Sequence, residues 1–185
     1  MKTIHIITLV VILIALGSMV AAEQTVKLGL IYPQSGPYSV YGLDEQRAAV
    51  MAVEEINANG GILGNQVELV VRDSKSRADV SADNTYELIR NQKVNAVFGG
   101  VSGKATGIMS DICQRNEVVF MAPVAFANTD GGKKSHRYSF QSGFSPWMAA
   151  RATADYVNKN FSNQKLCYLV ADQSWGWTTE NNLRN

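Results

Sequence analysis

"AVEEINANGGILGNQVELVVRDSKS", residues 52–76, carries a helical pattern into two adjacent glycines and then into a strand that ends on an aspartate. Asn59, Gly60 and Gly61 stop the helix, because a left-handed residue past a helix C-terminus costs least for glycine or asparagine. Ile62 and Leu63 are expected to fold back on the helix end. Gly64-Asn65 is expected to make the tight turn into the next strand. This helix-to-strand joint is the repeating unit of an α/β fold, and by itself it is structural rather than catalytic.

Outward from that joint, the chain alternates. "TVKLGLI" (25–31) reads as a strand, followed by the turn-rich "YPQSGPYSVYG" (32–42). A helix from Leu43 to Ala58 carries Ala49, Val53 and Ile56 on one face. "QVELVV" (66–71) is the next strand, and a helix from about Asp79 to Gln92 aligns Ala82, Tyr86 and Ile89. "VNAVFGG" (94–100) is a third strand. Ala105, Ile108, Met109 and Ile112 mark a third helix, and "VVFMAP" (118–123) a fourth strand. Strands separated by helices predict an α/β fold, a parallel sheet wound by right-handed crossovers with helices on both faces. Short apolar runs without alternation fit strands covered on both sides.

Composition narrows the function. The chain has 185 residues, 17 Lys+Arg against 16 Asp+Glu, and a net charge of +1, which leaves no large basic face for nucleic acid. Lys2, the apolar run from Ile6 to Leu16, and Val20 and Ala22 at the −3 and −1 positions read as a signal peptide, residues 1–22, cut after Ala22. The competing reading is a membrane anchor over Ile4 to Ala22. Cys113 in a helical pattern and Cys167 in a strand pattern are expected to be buried free thiols. Neither zinc spacing nor a Ser/His/Asp arrangement is expected around His136, the one histidine after the signal segment. No metal, cofactor or catalytic residue is therefore assigned.

"FGGVSGKAT" (98–106) superficially resembles a phosphate loop. The pattern needs glycine where Phe98 stands and Ser or Thr where Ala105 stands, so it fails twice. What survives is a strand ending at Gly99-Gly100 and a helix starting near Ser102, whose free N–H groups favour an anion. Ser102 is equally explained as an N-cap. In open α/β sheets ligands bind beyond the carboxyl ends of the strands, which draws in the loop after the fourth strand as well. Trp147, Ala150, Ala154 and Val157 form a helical stripe expected in the core, and Lys133-Lys134 a solvated loop.

"GLIYPQSGPYSVYG" with "EINANGGILGNQVELVVRDSKS", continuing through "VFGGVSGKATGIMSDI", "VVFMAPVAF", "RYSFQSG" and "LCYLVADQSWGWTTENNLR", resembles the type I periplasmic solute-binding proteins. The resemblance is greatest to the branched-chain amino acid (Leu/Ile/Val) binding group that serves ABC importers. It implies two α/β lobes joined by a hinge, with a ligand in the cleft between them. Residues 23–142 would be lobe 1 and 143–185 the start of an incomplete lobe 2, opening on the strand "LCYLVA". The chain alone is then expected to be poorly soluble and to bind nothing measurable.

The resemblance also implies a site. The ligand carboxylate would lie at the turn Val101, Ser102, Gly103, and Val124, Ala125 and Phe126 would face its other end. Tyr41 would line the cleft, and Trp175 would contribute from the second lobe, with Trp177 beside it. Gly103 and Phe126 stand where the amino-acid-binding relatives carry a serine and a threonine. The expected ligand is therefore a small carboxylate or amide with an apolar or aromatic body, with leucine-type amino acids second. The implied partner is an ABC permease and the implied location the periplasm. Two alternatives stay open: the extracellular region of a signalling receptor, and an exported α/β enzyme with its catalytic residues elsewhere.

Overall fold

A computed structural model gives the structure of residues 24–124 and 136–184. The expected signal segment, Ala125, Phe126 and Lys133-Lys134 lie outside these described residues. Strands β1 (Val26–Tyr32), β2 (Val67–Asp73), β3 (Ala96–Gly99), β4 (Val119–Ala122) and β5 (Ser139–Gln141) form one parallel sheet in the order β2-β1-β3-β4-β5. The helices are α1 (Ser39–Ala58), α2 (Ala78–Glu87), α3 (Gly103–Arg115), α4 (Pro146–Phe161) and α5 (Ser174–Arg184). The α/β class and the four sequence-derived strands are as expected.

The opening joint is built as its residues require. Gly60 and Gly61 take positive φ (94° and 77°), and Gly61 N–H donates to the Ile56 carbonyl at 2.9 Å, closing the end of α1. Asn57, near the end of α1, holds the first residue of β2 in both directions. Val67 N–H donates to its Oδ1 at 2.7 Å, and its Nδ2 donates to the Val67 carbonyl at 2.9 Å. Leu63 does not fold back on the helix end. It sits at the tip of the turn, 96% exposed, while Ile62 pairs with Asn65.

The dry part of the core lies between the sheet and the α2/α3 layer, where Ile31, Leu88, Val97, Met109, Cys113 and Phe120 have no exposed surface. A π-helical turn, Leu88–Gln92, extends α2 and ends on Lys93 in the left-handed region, φ 58°. Arg72 on β2 makes a two-bond ion pair with Glu87, Nε to Oε2 at 2.9 Å and Nη2 to Oε1 at 3.1 Å. The fork geometry strengthens such a pair, and it helps hold α2 against the sheet edge.

Four expectations change. α1 begins at Ser39 rather than Leu43, because the turn chemistry stops at Gly36-Pro37 and nothing after it breaks a helix. Tyr41 therefore stands in the first turn of α1, not in a loop. "LCYLVA" is not a strand: no described strand pairs with it, Leu169 is fully exposed, and an apolar run without a ladder partner has no reason to hold extended pairing geometry. Trp147 is 55% exposed, since α4 packs chiefly against α5 and the stripe is fully buried only at Ala150, with Ala154 and Val157 partly covered. Cys167 is exposed for the same reason as Leu169, whereas Cys113 is buried as expected.

That difference between the thiols is measurable. Burial pushes the Cys113 thiol up to about 12, far from the thiolate that reacts. An aromatic disulfide reagent at pH 8 is expected to titrate Cys167 at once and Cys113 only after denaturation. Two fast equivalents would mean that α3 opens on the timescale of labelling.

Candidate functional site

In the strand order, β2 and β3 lie on opposite sides of β1. The connections leaving β1 and β3 therefore diverge, and this switch point is where an open parallel sheet leaves a crevice at its carboxyl edge. A cleft of about 820 Å³ lies there. After β1 it is lined by Tyr38 and Tyr41, after β3 by Val101 through Lys104, and after β4 by Val124. The facing wall comes from beyond β5, with Phe144, Gln173, Trp175 and Trp177.

Each wall is positioned by local chemistry. Ser102 is the N-cap of α3: Ala105 N–H donates to its Oγ at 3.2 Å, and the Thr106 hydroxyl donates to its carbonyl at 3.0 Å. With the hydroxyl engaged as an acceptor, what α3 offers the cleft is the positive end of its dipole and the amides of its first turn. Exposed Lys104 adds a cation at the same place.

The loop after β1 is tied to the end of β2 by Asp73. Its Oδ1 accepts Gln34 N–H at 2.9 Å and Lys75 N–H at 2.7 Å, and its Oδ2 accepts the Ser35 hydroxyl at 3.1 Å. Burial alone would raise this carboxyl. The Lys75 and Gln34 amides and the Ser35 hydroxyl together hold it below the usual carboxylate range. Ser76 completes the tie: its hydroxyl donates to the Ser35 carbonyl at 2.7 Å and accepts Tyr38 N–H at 3.2 Å. Across the cleft, the Tyr38 hydroxyl donates to Gln173 Oε1 at 3.2 Å and links the two walls.

Six of the eight residues singled out from sequence, Tyr41, Val101, Ser102, Gly103, Val124 and Trp175, line this one cleft. Ala125 and Phe126 fall outside the described residues. Sequence reasoning missed Tyr38, Gln173 and Phe144 as wall residues, and placed Trp177 only beside the site. Tyr38 and Gln173 meet across 135 positions of sequence, and no local pattern announces such a pair.

One sequence expectation is corrected outright. A serine, a histidine and an aspartate do come together: Ser110 Oγ lies 2.8 Å from His136 Nδ1, and His136 Nε2 lies 3.2 Å from Asp111 Oδ1. Ser139 Oγ joins at 2.6 Å from Ser110 Oγ. Residues twenty-six apart, one on a helix and one in a loop, gave no sequence signal for this. The Ser110 and Ser139 side chains are buried, and no member of the group lines the cleft. Through these bonds the network fastens β5 to α3. Among the described residues there is no cluster that would hold a metal and no helix long and apolar enough to cross a membrane.

Comparison with known proteins matches residues 25–185 to the family described as periplasmic binding protein. The Leu/Ile/Val-binding protein BraC3 of Rhizobium johnstonii is 30% identical over 157 residues, 84% of this chain and 42% of that protein. The crystal structure of the branched-chain amino acid transporter substrate-binding protein LivJ of Streptococcus pneumoniae, in complex with isoleucine, superposes with a TM-score of 0.67. It is 34% identical, over 75% of this chain and 39% of that one. A solute-binding protein of an ABC transporter from Rhodopseudomonas palustris, in complex with 3,4-dihydroxybenzoic acid, superposes with a TM-score of 0.75 at 21% identity, over 86% and 43% of the two chains. This last likeness bears on fold alone. The chain spans less than half the length of these relatives.

Proposed function

Because the chain belongs to the periplasmic binding protein family, in its type I, branched-chain amino acid group, we propose that it is the exported substrate-binding component of an ABC importer. Members of the family are substrate-binding proteins of transporters rather than enzymes. In this reading residues 1–22 direct export to the periplasm, 23–142 form lobe 1, and 143–185 open lobe 2. The ligand is a small carboxylate or amide with an apolar or aromatic body, delivered to a membrane permease.

The observation that carries this reading is the composition of the two cleft walls. One wall presents the first turn of α3 and Lys104, which suit an anion or an amide oxygen. The other presents Phe144, Trp175 and Trp177, each about half exposed, which offer stacking area. Gly103 supplies no hydroxyl to orient an amino acid, and Phe126 stands where a threonine would have offered another. Capture then proceeds by lobe closure, a population shift toward a closed state that the ligand binds better.

The test is calorimetry on a polypeptide carrying both complete lobes, titrated with leucine, valine, benzoate, 4-hydroxybenzoate and benzamide. An aromatic acid or amide is expected to bind tightest, and Trp175→Ala to weaken it by about 1 kcal/mol. If leucine or valine binds at least tenfold tighter than every other compound, about 1.4 kcal/mol, the reading of the ligand body is wrong although the transport reading stands.

A further inference from the structure

The Tyr38–Gln173 bond joins two side chains whose backbones are each fixed on their own wall of the cleft. On the first wall, Tyr38 N–H donates to Ser76 Oγ at 3.2 Å, and the Tyr38 carbonyl accepts Gly42 N–H at 3.2 Å. Ser76 is an unusual post for it. Lys75 and Ser76 are consecutive residues with positive φ, 52° and 56°, a conformation that disfavours any residue with a Cβ. The corner is held there by Lys75 N–H on Asp73 and by the Ser76 hydroxyl on the Ser35 carbonyl, both at 2.7 Å.

The second wall seats Gln173 as firmly. Its N–H donates to the Ala171 carbonyl at 2.8 Å, and its own carbonyl accepts Trp177 N–H at 3.1 Å, at the start of α5. Gly176 lets this turn close, since a Cβ there would stand 2.1 Å from the same Ala171 carbonyl. A bond between two long exposed side chains contributes little when both must be ordered to make it. Here the two backbones are ordered beforehand, so more of the bond's strength survives.

We propose that Tyr38 and Gln173 act on each other rather than on the ligand, as a latch that holds the two walls together, and that Ser76 is the positioning residue that seats it. This rests on the reading of the cleft as a trap that closes on its ligand. The Tyr38 hydroxyl has a single proton, and Gln173 takes it. A bond made only when the walls meet favours that arrangement whether or not a ligand is bound. The apparent dissociation constant varies inversely with the population of that arrangement. The latch therefore scales the affinity for every ligand by one factor, roughly two- to tenfold for one net hydrogen bond. Choice among ligands is left to α3, Lys104 and the aromatic wall.

Electron spin resonance can read the separation of the walls in this chain with no ligand added. Spin labels go on Met51→Cys of α1 and Ala152→Cys of α4, both exposed, in a Cys167→Ser background; buried Cys113 stays unlabelled. α4 reports on the second wall because it packs against α5, which Gln173 precedes. One distance population is expected in the parent, and a second, longer one in Tyr38→Phe and in Gln173→Met. The double variant is expected to show no more of it than either single one, because both changes remove the same bond. Ser76→Ala, which keeps both latch groups but unseats Tyr38, is expected to fall between. Should Ser76→Ala fail to fold, Gln173→Met still decides, since Gln173 is exposed. Unchanged distances in the single variants, or additive changes in the double one, would overturn the latch. In the calorimetric panel above, Tyr38→Phe and Gln173→Met are expected to weaken every compound by the same factor. A loss confined to some compounds would overturn the latch by making the residue a ligand contact. If no compound binds, the ligand reading falls while the distances still decide the latch.

Discussion

Glu45→Gln is expected to stabilise the protein at pH 8 by about 3 kcal/mol and to change little at pH 4.5. Burial raises the Glu45 carboxyl from 4.5 to about 7, since nothing in its surroundings donates to the ionised form. The folded state therefore holds a proton that the unfolded chain releases above pH 4.5. Between these values the unfolded state binds fewer protons, so stability falls as pH rises, at about 1.4 kcal/mol per pH unit. The loss is complete once the pH passes the folded value. Glutamine keeps the shape and cannot ionise, so its profile should lack this slope. Urea unfolding of both proteins at half-unit steps from pH 4.5 to 8.5 measures it. Parallel profiles would show that Glu45 already has a partner or stays hydrated. The direction is opposite to that of Asp73, whose lowered carboxyl contributes stability present above its unfolded value and lost as pH falls through the folded one.

Glu45 also marks the limit of what its own sequence could reveal. The stretch around it was read as helix, correctly, from Ala49, Val53 and Ile56, but periodicity cannot say whether a helix face meets a sheet or an open crevice. The strands were legible because short apolar runs bounded by glycine leave few alternatives: β3 and β4 fall within the stretches read for them, and β1 and β2 overrun theirs at the carboxyl end by one and two residues. "LCYLVA" had the same composition and is not a strand. Pairing is a property of two segments, and none of the described strands pairs with this one. The cleft was legible wherever the signal was local: a strand ending on two glycines, an N-cap serine, a position at the sheet's carboxyl edge. It was illegible where the wall depends on distant meetings, as at Tyr38 and Gln173, or at Ser110 and His136. Tyr41 was assigned to the cleft through resemblance. The local reading had it in a loop, and the structure puts it on the first turn of a helix that starts earlier than its turn-rich prelude suggested.

Gly99→Ala is expected to cost 3 kcal/mol or more, of order 1–3 from backbone strain and as much again from overlap, enough to abolish a cooperative transition in a marginal domain. Gly99 closes β3 with φ 128°, a conformation that side chains other than hydrogen rarely allow. A Cβ there would stand 2.0 Å from the Ile31 carbonyl oxygen of β1, which is backbone and cannot swing aside. Ile31 and Gly99 are register partners, and Gly100 N–H donates to that same carbonyl at 3.3 Å. The close approach is thus what lets the chain leave β3 and turn into Val101–Gly103 at the mouth of the cleft. Gly60→Ala is the control for backbone conformation alone. Its φ is 94°, but a Cβ meets nothing within 4 Å, so its cost should stay at about 1–2 kcal/mol. Urea midpoints of the two variants against wild type decide the matter. Should both lose the same amount, the close packing of β1 against the end of β3 is not what fixes the turn, and the cleft's position must rest on the Ser102 cap and the Asp73 tie instead.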